Sequence, residues 1–234
     1  LKEDIRLSPS GDLALVASFG NEISEVLNTK VRSLMLALEK VGVEGIVEMT
    51  PTYCSLMIHY NPLQISYSAL CAKVLDVVKA LDDIELPPPK VIEIPTLYGG
   101  DSGPDLDYVA SHNGLTPEEV VQIHASGTYR IYMLGFTPGF PYLGGMDERI
   151  ATPRLETPRT KISGGSVGIA GAQTGIYPID SPGGWQIIGR TPLALYDPQR
   201  EEPILLQAGE SIRFVPIDQE TYDRLWQETR EGRV

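Results

Sequence analysis

Cysteine, histidine and positive charge are all scarce in this 234-residue chain, and each scarcity excludes something. Cys54 and Cys71 can form at most one disulfide, too few for a stapled secreted scaffold. His59, His112 and His124 share no metal-ligand spacing, so no metal site is expected. Lys and Arg number 19 against 31 Asp and Glu, a formal charge of −12, and a surface of that sign repels nucleic acid and anionic membrane. The uncharged stretch 50–72 is long enough to span a bilayer, but it is broken by Pro51, His59, Asn61, Pro62 and Gln64. It reads as a strand, a turn and a helix start. The N-terminal segment LKEDIRLSPSG lacks the basic-then-apolar pattern of a secretory signal, and a reduced, cytoplasmic protein is expected.

Glycine and proline, by contrast, are abundant and unevenly placed. Residues 1–90 hold 4 Gly and 6 Pro, whereas residues 91–234 hold 19 Gly and 13 Pro. Residues 135–192 alone contain 12 Gly and 7 Pro, about a third of that stretch, so the chain has two compositional halves.

The first half alternates strands with helices. Residues 13–19 (LALVASF) read as a strand, and residues 23–41 as an amphipathic helix stopped by Gly42. Residues 46–49 and 55–60 read as strands around a turn at Pro51. A second helix follows with Tyr67, Leu70, Cys71, Val74, Val77, Val78 and Leu81 on one face. The order β-α-β-β-α, with a last strand at residues 91–94, is that of a split βαβ (ferredoxin-like) domain over 1–86. Three consecutive prolines then stiffen a linker at 87–90.

The second half, 91–234, opens with two short helices. Pro104 suits the first turn of one, which ends at Asn113-Gly114, and TPEE at 116–119 is a capping box that starts the other, running to about Ala125. These helices superficially resemble a helix-turn-helix, but residues 90–125 carry one Lys against six acids, the wrong sign for phosphate. Beyond residues 129–134 come short strands at 167–170, 185–188, 193–196, 204–207 and 212–215, the pattern of a compact barrel or sandwich. A final helix spans about 219–229. The fold class is therefore α+β.

Charge points to a site. Between residues 149 and 190, Arg149, Arg154, Arg159, Lys161 and Arg190 outnumber Glu156 and Asp180 by three, a basic island in an acidic chain. Arg154 and Arg159 each follow a proline, and a guanidinium suits bidentate contact with carboxylate or phosphate. Ser166, Gln173, Thr174, Tyr177 and Trp185 supply hydrogen-bonding groups and an apolar wall nearby. His124 closes a helix just before the glycine-rich block. That block, KISGGSVGIAGAQTG, satisfies neither G-x-x-x-x-G-K-[ST] nor G-x-G-x-x-G, and it also suits a tight strand in a small barrel. No local signature of a catalytic Ser or Cys is present, GGSVG lacking the G-x-S-x-G spacing.

Several longer motifs resemble a known family. They are YMLGFTPGFPYLG at 132–144, GGSVGIAGAQTGIYP at 164–178, SPGGW at 181–185 and GRTP at 189–192, with GDLAL at 11–15 and GGDSGPDL at 99–106. Together they are similar to the KipI/PxpB group, also called allophanate hydrolase subunit 1. The resemblance implies a cyclophilin-like barrel after the α/β domain. It also implies the PxpB-type subunit of a bacterial 5-oxoprolinase, which opens 5-oxo-L-proline to L-glutamate with ATP beside KipA/PxpC-like and PxpA-like subunits. ATP is expected to be shared with, or bound by, a partner, and no metal or biotin is expected in this chain. Inhibition of a sensor histidine kinase, or a carboxyltransferase role in urea metabolism, is the alternative.

For a small anionic substrate, Arg154, Arg159 and Arg190 are the expected anchors, with Ser166, Gln173, Thr174 and Trp185 around them. Backbone N–H groups around Gly164–Gly171, Gly164 and Gly165 among them, are the expected oxyanion-type donors, and His124 and Tyr177 the candidate catalytic groups.

Overall fold

The computed structural model describes residues 5–79 and 90–231, which fall into two compact units, Leu1–Pro88 and Pro89–Val234. Leu81 and the expected linker 87–90, apart from Lys90, lie outside the described residues.

The first unit is one four-stranded antiparallel sheet covered by two helices. Its elements are β1 (Arg6–Ser10), β2 (Ala14–Ser18), α1 (Glu25–Val41), β3 (Ile46–Pro51), β4 (Ser55–Tyr60) and α2 (Tyr67–Val78), with strand order β1-β2-β4-β3. Alternation along β4 buries Leu56, Ile58 and Tyr60 beneath Val31, Leu34 and Leu38 of α1 and Leu70 and Val74 of α2. Gly42 adopts φ 64°, and its N–H caps the carbonyls of Leu38 and Glu39, as the glycine stop predicts. Two expectations change. Strand β1 is an unforeseen hairpin partner of β2. Residues 91–94 instead belong to the second unit.

That unit contains β5 (Val91–Tyr98), α3 (Leu106–Asn113), α4 (Pro117–Ser126), β6 (Tyr129–Leu134), β7 (Pro141–Gly144), β8 (Arg159–Ile162), β9 (Ser166–Ala170), β10 (Gln173–Ile176), β11 (Ser181–Gly183), β12 (Gln186–Arg190), β13 (Ser211–Pro216) and α5 (Gln219–Arg230). Seven strands form one sheet in the order β10-β9-β12-β5-β13-β6-β7. Its end strands β7 and β10 approach each other, so the sheet is nearly closed and barrel-like. β5 and β13 run parallel and the other pairs are antiparallel, while β8 and β11 form a separate two-stranded ribbon. Ile94, Ile131, Val167, Ile169, Ile176, Ile188, Ile212 and Phe214 fill the interior.

The Thr116 capping box on α4 is present with both reciprocal hydrogen bonds. Pro104, expected inside α3, precedes its N-cap Asp105. Segments 193–196 and 204–207 are not strands: they meet through one bridge, Tyr196 to Ile204, and a Leu205 N–H to Leu195 carbonyl bond. Their leucines still reach the core of the unit, Leu195 and Leu206 buried in it and Leu193 and Leu205 packed against it, without a sheet ladder.

Candidate functional site

A cavity of about 300 Å³ opens on the second unit, lined by Phe136, Phe140, Tyr142, Arg154, Gln173, Tyr177, Pro182, Gly183, Gly184 and Trp185. Four pieces of chain build it: the loop between β6 and β7, the segment before β8, the β10 strand with the residue after it, and the link from β11 to β12.

The β6–β7 loop is held tightly. Thr137 N–H donates to Gly135 O at 2.7 Å, which closes a three-residue turn around Phe136. Phe136 has φ 65°, the one non-glycine residue of positive φ among the described residues, and its ring is 69% exposed. Gly135 N–H and Phe140 O then join at 3.1 Å and deliver the buried Phe140 ring to the middle of the cavity wall. That ring meets Phe136, Tyr142, Tyr177 and Trp185 edge to face, with centroids 5.3 to 5.9 Å apart. Each such pair adds about 0.5–1.5 kcal/mol beyond burial, so the box is largely preformed.

Glycine makes room for it. A Cβ on Gly175 would stand 3.0 Å from Trp185 Cζ3 and 3.3 Å from Phe140 Cζ, and one on Gly183 would strike the Tyr177 hydroxyl. Glycine at both positions is therefore a packing requirement of the aromatic wall.

Arg154 is the one charged side chain among the lining residues, and it pairs with no carboxylate among the described residues. Its backbone is fastened on both sides. Leu155 N–H donates to Gly184 O at 2.7 Å, and the buried Gln186 side chain donates to Pro153 O at 2.9 Å. Tyr177 is pushed up to about 12, chiefly by burial, against the opposing influence of Arg154, the Trp185 backbone and Arg159. It is a neutral hydrogen-bonding phenol at physiological pH. Among the described residues, no Asp, Glu, His, Lys or Cys lines the cavity. It can therefore bind an anion against an aromatic wall, but it holds no general base.

Of the residues expected at a site, the structure brings Arg154, Gln173, Tyr177 and Trp185 together and separates the rest. Arg159 gives Nη2 to Asp105 Oδ1 at 2.7 Å and Nη1 to the Trp185 carbonyl at 3.3 Å. Arg190 donates Nε to Gly164 O at 3.2 Å and lies 5.2 Å from the Trp226 ring centroid. The glycine-rich donors are already engaged: Gly164 N–H with Asp180 Oδ1, Gly165 N–H with Tyr177 O, and Ser166 N–H with Ser163 O. Those N–H groups cannot serve as an oxyanion site without losing these bonds. Thr174 and His124 lie buried in the barrel interior, bonded to one another at 2.8 Å. Burial pushes His124 down to about 3, and it does not line the cavity.

Sequence reasoning missed Phe136, Phe140 and Tyr142, although all three stand within the motif at 132–144. Their spacing looked like turn and strand composition. A second, larger cavity of about 780 Å³ includes Leu134, Tyr196, Glu201, Glu202 and Ile204, and its two carboxylates disfavour an anion. Among the described residues, no cluster of three or more metal-ligating side chains occurs, and no helix is long and apolar enough to cross a membrane.

Comparison with known proteins places this geometry in a lineage. A family model described as "Carboxyltransferase domain, subdomain C and D" matches residues 5–206. The chain is 46% identical over 224 residues to the B subunit of 5-oxoprolinase from Bacillus subtilis (strain 168), covering 91% of this chain and 92% of that protein. It is 43% identical over 209 residues to the corresponding 5-oxoprolinase B subunit of Escherichia coli O157:H7, covering 88% and 93%. The crystal structure of the conserved uncharacterized protein PH0987 from Pyrococcus horikoshii superposes with a TM-score of 0.56 at 48% identity, over 93% of this chain and 100% of that one.

Proposed function

The chain belongs to the carboxyltransferase-domain family, subdomains C and D, and within it to the B subunits of 5-oxoprolinase; on that premise we propose how its cavity serves the reaction. The observation that carries the reading is the aromatic cavity whose one guanidinium pairs with no carboxylate, and which no base lines, among the described residues. In this reading Arg154 takes the carboxylate of 5-oxo-L-proline, and Phe140, Tyr142, Tyr177 and Trp185 pack against the ring. Gln173 and the Tyr177 hydroxyl face the lactam edge.

Net reaction opens the ring: the C–N bond of the lactam breaks, one water supplies the new carboxylate oxygen and the amine proton, and ATP hydrolysis to ADP and phosphate consumes a second water. A cavity of about 300 Å³ with a single cation suits a compact monoanion. It does not suit a triphosphate with its magnesium ion, which needs several cations or a nest of free N–H groups. We therefore place ATP, and the acid–base groups that move protons, on PxpC-like and PxpA-like partner subunits. This chain contributes a substrate-binding half-site. The two units correspond in this reading to a ferredoxin-like domain and a cyclophilin-like barrel, and the assembled enzyme is cytoplasmic.

The test is reconstitution. With all three subunits co-purified, 5-oxo-L-proline should drive ATP hydrolysis and glutamate formation. Omitting this chain should abolish both, and undiminished activity without it would overturn the assignment.

A further inference from the structure

Four consecutive residues, Gly184 to Ile187, of which Gly184 and Trp185 line the cavity, are each tied to a different part of the unit. Gly184 O accepts from Leu155 N–H at 2.7 Å, and Trp185 O accepts from Arg159 Nη1 at 3.3 Å. Gln186, 2% exposed, sends its amide to Pro153 O at 2.9 Å. Ile187 N–H donates to Asp105 Oδ2 at 2.6 Å, and its carbonyl accepts from Asp105 N–H at 2.9 Å. Asp105 closes the circuit by pairing its other oxygen with Arg159 at 2.7 Å.

Two of these ties run to the residues on either side of Arg154, and three to the Asp105–Arg159 ion pair. The side chains that face the cavity are thus held through their backbones, by groups that are not among its lining residues. Arg159 is paired with Asp105 and commits a second N–H to a carbonyl, so these donors are engaged within the fold.

We propose that the Asp105–Arg159 pair and Gln186 are positioning residues that fix Arg154 relative to Trp185, so that one ligand meets the guanidinium and the indole together. Arg159 acts through this frame and does not bind the substrate. The proposal rests on the cavity being the substrate site. An anchor displaced by about 1 Å can lose on the order of a hundredfold in rate, which gives such a frame its value.

The experiment uses the reconstituted three-subunit enzyme and reads KM and kcat for 5-oxo-L-proline. Arg154→Gln should raise KM about tenfold or more, the loss of one charge-assisted contact. Gln186→Ala and Arg159→Gln should each raise KM about five- to tenfold with kcat nearly kept, by loosening rather than removing that contact. The decisive arm places each change on the Arg154→Gln background. Acting through Arg154, neither should add more than about twofold, whereas independent roles add in full. Full additivity for Arg159→Gln would make Arg159 a direct ligand and overturn the proposal, as would unchanged KM in both single variants. Should Gln186→Ala fail to fold, Asp105→Asn keeps the acceptor for Ile187 N–H and replaces the carboxylate oxygen that accepts from Arg159 with an amide nitrogen, breaking the ion pair. If Arg154→Gln leaves KM unchanged, the reading of the cavity itself fails. If only the frame variants are silent, the cavity reading survives and the frame does not.

Discussion

His124 Nε2 lies 2.8 Å from Thr174 Oγ1, and the chemistry of that contact fixes the tautomer of the imidazole. Thr174 donates its single hydroxyl hydrogen to Gly168 O at 3.1 Å, so its oxygen can only accept from the ring. Nε2 therefore carries the proton, and Nδ1 accepts from the Tyr98 hydroxyl at 2.7 Å. Both ring nitrogens are satisfied in the neutral form, which suits a side chain that is 0% exposed. A histidine placed beside the glycine-rich block is thus a core element linking α4, β5 and β10.

Acid sensitivity follows from that burial. The folded His124 titrates near 3 against an ordinary value of 6.5, so below pH 6.5 the unfolded chain binds a proton that the folded chain refuses. Its contribution to stability is present above about pH 6.5 and is lost as pH falls toward 3, at up to about 1.4 kcal/mol per pH unit. His124→Gln removes this titration. Its melting temperature should drop less between pH 7 and 4.5 than that of the natural chain, although it starts lower. Parallel curves for the two proteins would show that the imidazole titrates normally in the fold.

Tyr177 gives a prediction of opposite sign. Because burial raises the phenol to about 12, it stays protonated throughout the working range and cannot accept the proton of an attacking water. Tyr177→Phe in the assembled enzyme should leave the shape of the pH–rate profile unchanged between pH 6 and 9. It should raise KM a few-fold, the effect of one neutral hydrogen bond of about 0.5–1.5 kcal/mol. A shifted or flattened limb would make Tyr177 an acid–base group.

Packing around the cavity predicts the effect of one added methyl. The Cβ of Gly175→Ala would sit 3.0 Å from Trp185 Cζ3 and 3.3 Å from Phe140 Cζ, and neither ring can retreat freely. Overpacking of this kind costs about 1–3 kcal/mol, so thermal stability should fall measurably. KM for 5-oxo-L-proline should rise with it, because the displaced indole intrudes on the binding volume. A variant with native stability and KM would mean that the aromatic wall is softer than its contacts indicate.

Local periodicity made α1, α2 and β4 legible in the sequence, and a capping box did the same for α4. Order within the sheets was hidden, because nothing local to residues 91–94 says that they pair with β13, more than a hundred residues later. At the site, Arg154, Gln173, Tyr177 and Trp185 of the expected residues line one cavity, while the rest of the basic island and the glycine-rich motif lie elsewhere. Charge counting could not tell Arg154 from Arg159, because the carboxylate that occupies Arg159 is Asp105, 54 positions earlier. Nor could it show that the glycine N–H groups were already bonded within the fold.

Phe136 concentrates the remaining tension between stability and function. A bulky residue at φ 65° incurs a backbone penalty of about 1–3 kcal/mol, and a ring left 69% exposed recovers little by burial. Glycine would remove the penalty and give back about 0.5–1 kcal/mol through a more flexible unfolded chain. Phe136→Gly should therefore raise the melting temperature, by a few degrees for about 1 kcal/mol of net gain. The same change strips the outer aromatic from the cavity rim, where Phe136 meets Phe140 edge to face at 5.7 Å. Higher KM in the reconstituted enzyme, together with a higher melting temperature, is the expected pair of results. A lower melting temperature would place the ring's value in packing rather than in binding, and the strained turn would then need no functional explanation.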